Sequence, residues 1–429
     1  MSSPSSDTLC VCIVAENASF RFGGEASLPL HYFTRLRATG TQVWLVVHSR
    51  VRAELEALLP ADQDRIRYVP DRWFHKLIYQ LSRPLPRRVS EATFHTLMVL
   101  VNQLMQRAII RRLIRDEGVN VIHQPIPVSP KAPSLIYGLG VPVIVGPMNG
   151  GMEYPPAFRR GESRLTRFVV ALARMSANVI NSVIRGKKDA TLLLVANERT
   201  RLALPHNTRG RVIEIPENGV DLRIWTWRGK SSSLMRPARF LAIGRLVDWK
   251  RLDIAIEAVA RIPQAELEII GEGPRRLAWT ELTRNLRITE RVRFVGWLSQ
   301  QECAERLRSA TALLLPSVYE CGGAVVLEAM ACGVPVVATS WGGPADYINA
   351  TCGFLVDTAS RETIVDGFTN AMRKLIADPV LCDQLGAAGR QRVEDHFDWA
   401  KKIDQILSLY REALNSGVPP TVADTGRVS

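Results

Sequence analysis

YECGGAVVLEAMACGVPVVAT, residues Tyr319 to Thr339, is the stretch on which the fold turns. It places two carboxylates, Glu320 and Glu328, eight residues apart, with Cys321-Gly322-Gly323 and the start of an apolar helix between them. Thr311-Ala-Leu-Leu-Leu-Pro316 before it and Val334-Pro-Val-Val-Ala338 at its end read as buried strands. Short continuous apolar runs bounded by Gly or Pro suit strands that are covered on both faces. Strand, loop, helix and strand in that order make one βαβ unit. A loop with free N–H groups that leads into a helix suits an anion, and a carboxylate there suits sugar or ribose hydroxyls. A plainer reading stays open on this stretch alone: glycines that only permit a tight turn, and Glu328 on the surface of an amphipathic helix.

Working outward, the same alternation recurs. Toward the N-terminus the candidate strands are Cys10–Ala15, Gln42–Val47, Arg67–Val69, Val119–His123, Val141–Val145, Thr191–Ala196 and Val212–Ile215. Ser231–Pro237 reads as a linker, and a second series follows: Phe240–Ile243, Glu266–Ile270, Val292–Val295, Thr311–Leu315, Val334–Ala338 and Gly353–Val356. Strands alternating with amphipathic stretches predict parallel sheets wrapped by helices. The expected fold class is therefore α/β, with two Rossmann-like doubly wound domains facing across a cleft. In such sheets ligands bind beyond the carboxyl ends of the strands. We expect an N-terminal domain over residues 1–205 and a C-terminal, ligand-binding domain over 206–395. A helix over 396–414 and a disordered Gly/Pro/Ser/Thr-rich tail over 415–429 complete the chain.

A chain of 429 residues exceeds the usual single domain. Hydrophobic residues make up 46% and charged residues 23%, a globular composition. The net charge of +13 implies an anionic partner: a nucleotide, a phospholipid surface, a lipid phosphate or nucleic acid. The seven cysteines are scattered without CxxC pairs or metal-ligand spacing, which points to a reducing cytoplasm. The first residues lack the pattern of a signal peptide, and no run reaches the roughly 18–20 apolar residues of a membrane span.

Several strands are followed by loops suited to one ligand. After the first comes Gly23-Gly24, whose backbone N–H groups could approach a phosphate or a sugar; it is not a G-x-G-x-x-G fingerprint. After Phe240–Ile243 come Arg245 and Lys250, two cations able to bind a diphosphate, one as a fork and one as a point charge. Gly271 and Gly273 in Gly271-Glu-Gly-Pro274 allow close backbone approach, and Val295 in Phe294-Val-Gly-Trp297 lies where backbone groups and a ring edge could hold a base. His123 ends a strand as a candidate acid/base or electrostatic partner. Asn149 and Gly150 suit an acceptor pocket. Each has a structural alternative: a solvated basic turn, a loop-orienting histidine, a plain turn. Their recurrence at strand ends is what favours a nucleotide diphosphate.

Two stretches are basic and apolar together. Arg65–Arg115 holds eleven Lys and Arg against Asp71 and Glu91, a net +9, and Arg159–Lys188 holds eight against Glu162, a net +7. Apolar residues at helical spacing, such as Trp73, Phe74, Leu77, Ile78 and Leu81, fit a surface that docks on anionic lipid, or a helix face over the N-terminal core.

With these residues in place, the chain resembles the family-4 retaining glycosyltransferases of GT-B fold over residues 9–414. The resemblance rests on Glu320-x7-Glu328, Gly244-Arg245…Lys250, Gly271–Pro274, Glu217-Asn-Gly-Val-Asp221 and the N-terminal Gly-Gly loop. It implies a nucleotide-sugar donor bound mainly by the C-terminal domain, with Arg245 and Lys250 neutralising the leaving diphosphate. Glu328 would hold ribose hydroxyls, Glu320 would contact the transferred sugar, and Cys321, Gly322 and Gly323 would present the loop to the donor. The family's usual Glu-Gly-Phe-Gly is here Glu320-Cys-Gly-Gly323. The C-terminal helix would cross back to the N-terminal domain. The implied reaction retains anomeric configuration without a protein nucleophile, needs no metal or other cofactor, and passes the sugar to a glycan or lipid-linked acceptor at the cytoplasmic membrane face. An alternative within the fold is a sugar-nucleotide epimerase. A nucleic-acid-binding protein fits the charge but lacks stacking aromatics, a helix-turn-helix or a zinc pattern.

Overall fold

The computed structural model describes residues 8–21, 24–82, 94, 96–161, 178–227, 229 and 237–416. The expected linker, apart from Pro237, lies outside the described residues, as do Gly23, much of the second basic stretch and residues 417–429.

All the expected strands form, in two parallel sheets. The first contains β1 (Cys10–Val14), β2 (Gln42–His48), β3 (Ile66–Val69), β4 (Val121–Gln124), β5 (Val143–Met148), β6 (Leu192–Val195) and β7 (Arg211–Glu214). The second contains β8 (Ala238–Ile243), β9 (Ala265–Ile270), β10 (Val292–Gly296), β11 (Ala312–Leu315), β12 (Val336–Thr339) and β13 (Gly353–Val356). Their orders are β3-β2-β1-β4-β5-β6-β7 and β10-β9-β8-β11-β12-β13. In both, the direction of winding reverses beside the first strand, between β1 and β4 and between β8 and β11. Loops after those strands diverge to opposite faces and leave a crevice at the carboxyl ends. The apolar runs explain the architecture: β1, β11 and β12 are buried at every residue, so helices must cover both faces.

The chain divides into two compact units, one of residues 1–151, 163–217 and 403–429, the other of residues 152–162 and 218–402. Residues 206–217, expected with the second domain, lie in the first unit because β7 extends its sheet beside β6, with Leu192 opposite Arg211. Residues 152–162 instead join the second unit: Trp341 Nε1 donates to the Glu153 carbonyl at 2.7 Å and Tyr154 stacks on Tyr319.

The C-terminal helix also differs from expectation. His396 ends the preceding helix, Pro379–His396, and the last helix runs over Trp399–Asn415. Between them Val220 pairs with Asp398, donating its N–H to the Phe397 carbonyl and accepting from Trp399 N. The Asp398 carboxylate then takes the Ala400 N–H at 3.0 Å. A fully buried Trp399 packs on Gly219, where a Cβ would sit 3.0 Å from the indole ring. Asn415, expected in the tail, closes this helix.

Candidate functional site

The second unit gathers its charged groups at the switch point of its sheet. β8 delivers Gly244, Arg245 and, through a short turn over Asp248–Lys250, the Lys250 ammonium. β11, next in the sheet, delivers the loop that carries Glu320. Lys250 Nζ and Glu320 Oε2 form an ion pair there, with side chains 15% and 16% exposed. Arg245 is exposed, and its guanidinium has no hydrogen-bond or ion-pair partner among the described residues.

Glycines make the approach possible. Gly271 has φ +132°, and a Cβ on it would stand 2.1 Å from the Gly244 carbonyl oxygen, so the β9 loop can close on the β8 loop only without a side chain. Gly323 has φ +79° and begins the helix Ala324–Ala331; a Cβ there would lie 3.1 Å from Glu320 Cγ. The first N–H groups of that helix have no acceptor within it, and Gly322-Gly323 brings them beside Glu320.

Glu328 lies inside the same helix, half-buried, its carboxyl with no hydrogen bond or ion pair among the described residues. Desolvation pushes its carboxyl up to about 7. A carboxyl removed from water without a cation favours hydroxyl donors over none at all. Val295 is half-buried in β10 and Trp297 just beyond it is 76% exposed. Gly273 follows β9 in the loop whose Glu272 carbonyl accepts from Leu246 N. Cys321 is half-buried and outside any disulfide.

One supporting element escaped the sequence reading. Ser340-Trp-Gly-Gly-Pro344 follows β12, Gly343 N donates to the Glu320 carbonyl at 2.8 Å, and a Cβ on Gly342 would meet the same oxygen at 2.2 Å. This loop fixes the backbone of Glu320. Its signal was available: a fourth Gly-Gly at a strand's carboxyl end.

The first unit treats its polar residues differently. His123 is fully buried, its Nε2 at 2.5 Å from the Gly146 carbonyl and its Nδ1 at 2.6 Å from the Tyr410 hydroxyl. Tyr32 packs edge-on against its ring. Both nitrogens therefore serve the protein interior, which fits the loop-orienting role and not an acid/base group at a surface. Asn149 is 3% exposed and donates to Glu217 at 2.7 Å, while Asn197 reaches its side-chain oxygen at 3.4 Å. Gly150 N donates to the Thr200 hydroxyl at 3.0 Å. Asn149 and Gly150 thus anchor an internal polar network. Gly24 begins the helix Gly24–Ala38 and is exposed.

Two parallel doubly wound units, one with a charged switch-point site, define the GT-B class. Residues 223–392 match the family described as glycosyl transferases group 1. Over 206 residues it is 35% identical to the glycogen synthase of Mycobacterium tuberculosis, covering 47% of this chain and 49% of that protein. Over 170 residues it is 32% identical to the lipopolysaccharide core biosynthesis glycosyltransferase LpsE of Rhizobium meliloti, covering 39% of this chain and 48% of that protein. The chain thus spans about half the length of the curated relatives it matches. In fold it is similar to the sucrose-phosphate synthase of Thermosynechococcus elongatus, with a TM-score of 0.65 at 20% identity over 95% of this chain and 100% of that one.

Proposed function

We propose that the protein transfers a sugar, with retention of configuration, from a nucleoside-diphosphate sugar to a glycan or lipid-linked acceptor. The observation that carries this reading is the Lys250–Glu320 ion pair at the switch point, flanked by the exposed Arg245, whose guanidinium has no partner among the described residues. Arg245 and Lys250 neutralise the leaving diphosphate, a fixed positive field aimed at developing negative charge. Glu320, released from Lys250 as the diphosphate takes the ammonium, hydrogen-bonds the transferred sugar. Gly322, Gly323 and the helix start behind them donate N–H groups to sugar or phosphate. Glu328 accepts from ribose hydroxyls, and the segment around Val295 lies against the base. The acceptor hydroxyl attacks from the face the diphosphate leaves, so no protein nucleophile takes part.

A glycan acceptor is supported by the relatives named above, whose names concern glycogen and lipopolysaccharide core. A peripheral membrane location is supported by the helix Trp73–Ser82, which exposes Trp73 by 74%, Leu77 by 44% and Leu81 by 52% within the basic stretch. No helix among the described residues is long and apolar enough to cross a membrane.

The test is a screen of labelled UDP-, GDP- and ADP-sugars, by thermal shift and by product analysis with and without acceptor. Turnover of one donor that Arg245→Ala and Glu320→Ala abolish supports the reading. Unchanged binding and turnover in both variants overturns the site, and a converted donor without acceptor would mean epimerisation instead. Flotation with anionic and neutral vesicles tests the membrane part; equal flotation refutes electrostatic docking.

A further inference from the structure

A separate cluster lies in the first unit. β2 ends at His48, which sits in register with Val69 at the end of β3. Two residues on comes Asp71, and the first turn of the helix Trp73–Ser82 adds His75. The parallel pairing of β2 and β3 thereby brings three side chains together that the sequence holds apart. One donor atom from each lies within 4.8 Å of the others. His75 Nδ1 is 3.1 Å from Asp71 Oδ1, and His48 Nε2 is 3.9 Å from the same oxygen.

Two features separate this cluster from an ordinary surface ion pair. Both histidines are 1% exposed, and His48 Nε2 is buried with no hydrogen-bond partner while aimed toward Asp71. A polar atom withdrawn from water and left without a partner is costly unless something else meets it. Asp71, by contrast, is 42% exposed on its side chain, so the cluster opens to solvent through its carboxylate.

We propose that His48 Nε2, Asp71 Oδ1 and His75 Nδ1 form a site for a divalent transition metal of the zinc class. Two imidazole nitrogens and a carboxylate are a donor set that suits such ions and leaves a position for water. Ligand atoms around a tetrahedral zinc stand about 3.3 Å apart at bond lengths of ~2 Å. The 3.1 Å edge already fits; the 3.9 Å edge and the His48–His75 edge, within 4.8 Å, shorten as the ion draws the three side chains in. Ligation exchanges two backbone contacts: Arg50 N to His48 Nδ1 at 3.2 Å, and Arg72 N to His75 Nδ1 at 3.0 Å. In doing so it moves the His48 proton from Nε2 to Nδ1 and takes the His75 Nδ1 lone pair from the Arg72 N–H. The ion would fasten the end of β2 to the helix Trp73–Ser82, whose Trp73, Leu77 and Leu81 face solvent.

The experiment uses tag-free full-length protein stripped with a chelator. Zinc is added by equilibrium dialysis, and cobalt replaces it for visible spectroscopy. One zinc per chain is expected, with the cobalt bands of a low-coordinate N/O site and a rise in the unfolding temperature. His48→Gln and Asp71→Asn should each weaken binding by at least ~10-fold and remove the thermal shift. Asp71→Asn changes an exposed side chain, so it keeps the test valid if the histidine variant folds poorly. Less than one equivalent bound, or binding unchanged in both variants because other histidines hold the ion, overturns the proposal.

Discussion

The two units share a plan and use it in opposite ways. Each is a parallel sheet whose winding reverses beside its first strand. In the second unit the groups at the reversal are charged and reach solvent: Arg245 is exposed, and Lys250 and Glu320 are partly so. In the first unit the comparable polar residues are buried and bonded within the protein, His123 to Gly146 and Tyr410 and Asn149 to Glu217. The same topology thus leaves charge available at a candidate site in one unit and builds an interior of satisfied polar groups in the other. What differs is whether hydrogen-bonding capacity is spent inside the protein.

The largest effect that tests this contrast is Lys250→Ala. It should lower turnover by about 10²–10³-fold, the loss typical of removing one charge-stabilising group, while circular dichroism stays unchanged. Equal turnover would mean that the second unit's charges are as structural as the first unit's. Gly271→Ala comes next: a Cβ 2.1 Å from the Gly244 carbonyl, at φ +132°, should cost on the order of 3 kcal/mol in denaturant unfolding.

Glu328→Gln sharpens the comparison through pH. Burial pushes the wild-type carboxyl up to about 7 in the folded protein, from the ordinary 4.5 of a glutamate in water. The folded state therefore binds more protons than the unfolded state between those values, and stability falls as pH rises across that window. The decline levels off above about pH 7 and amounts to on the order of 2–3 kcal/mol. The Gln variant should lack this decline, so its advantage over wild type grows from pH 4 to pH 8. Parallel stability curves would show that Glu328 is well solvated. The smallest effect is Tyr410→Phe, which removes the hydroxyl on His123 Nδ1 and should cost about 1–2 kcal/mol. Once folded, the variant should turn over donor as wild type does. A large drop in turnover at unchanged stability would return His123 to the chemistry.

Most of the fold was legible because parallel sheets buried on both faces demand long apolar runs, and those runs stand out in any reading. Strand ends differ by one to three residues from expectation, as at Val121–Gln124, which runs one past His123, and Val143–Met148, which runs three past Val145. The unit boundaries were less legible. Nothing local in Met152–Glu162 says that it packs with Tyr319 and Trp341; that choice rests on contacts far away in sequence. In the site, the glycine loops and the pair Arg245 and Lys250 could be read because loops after strands have fixed positions relative to the sheet. The Ser340–Pro344 loop carried the same sign and was passed over.

The sequence by itself determined the two sheets, their parallel sense and the residue types at their carboxyl ends. Periodicity and apolar runs encode which faces are buried, and that needs no knowledge of distant partners. Only the tertiary structure decided which polar residues are occupied by the protein. His123 finds Tyr410 from the other end of the chain, Lys250 finds Glu320, and His48 finds Asp71 and His75. Such pairings follow from strand order and crossover path, and they depend on a few ångströms that hydrophobic patterning does not specify.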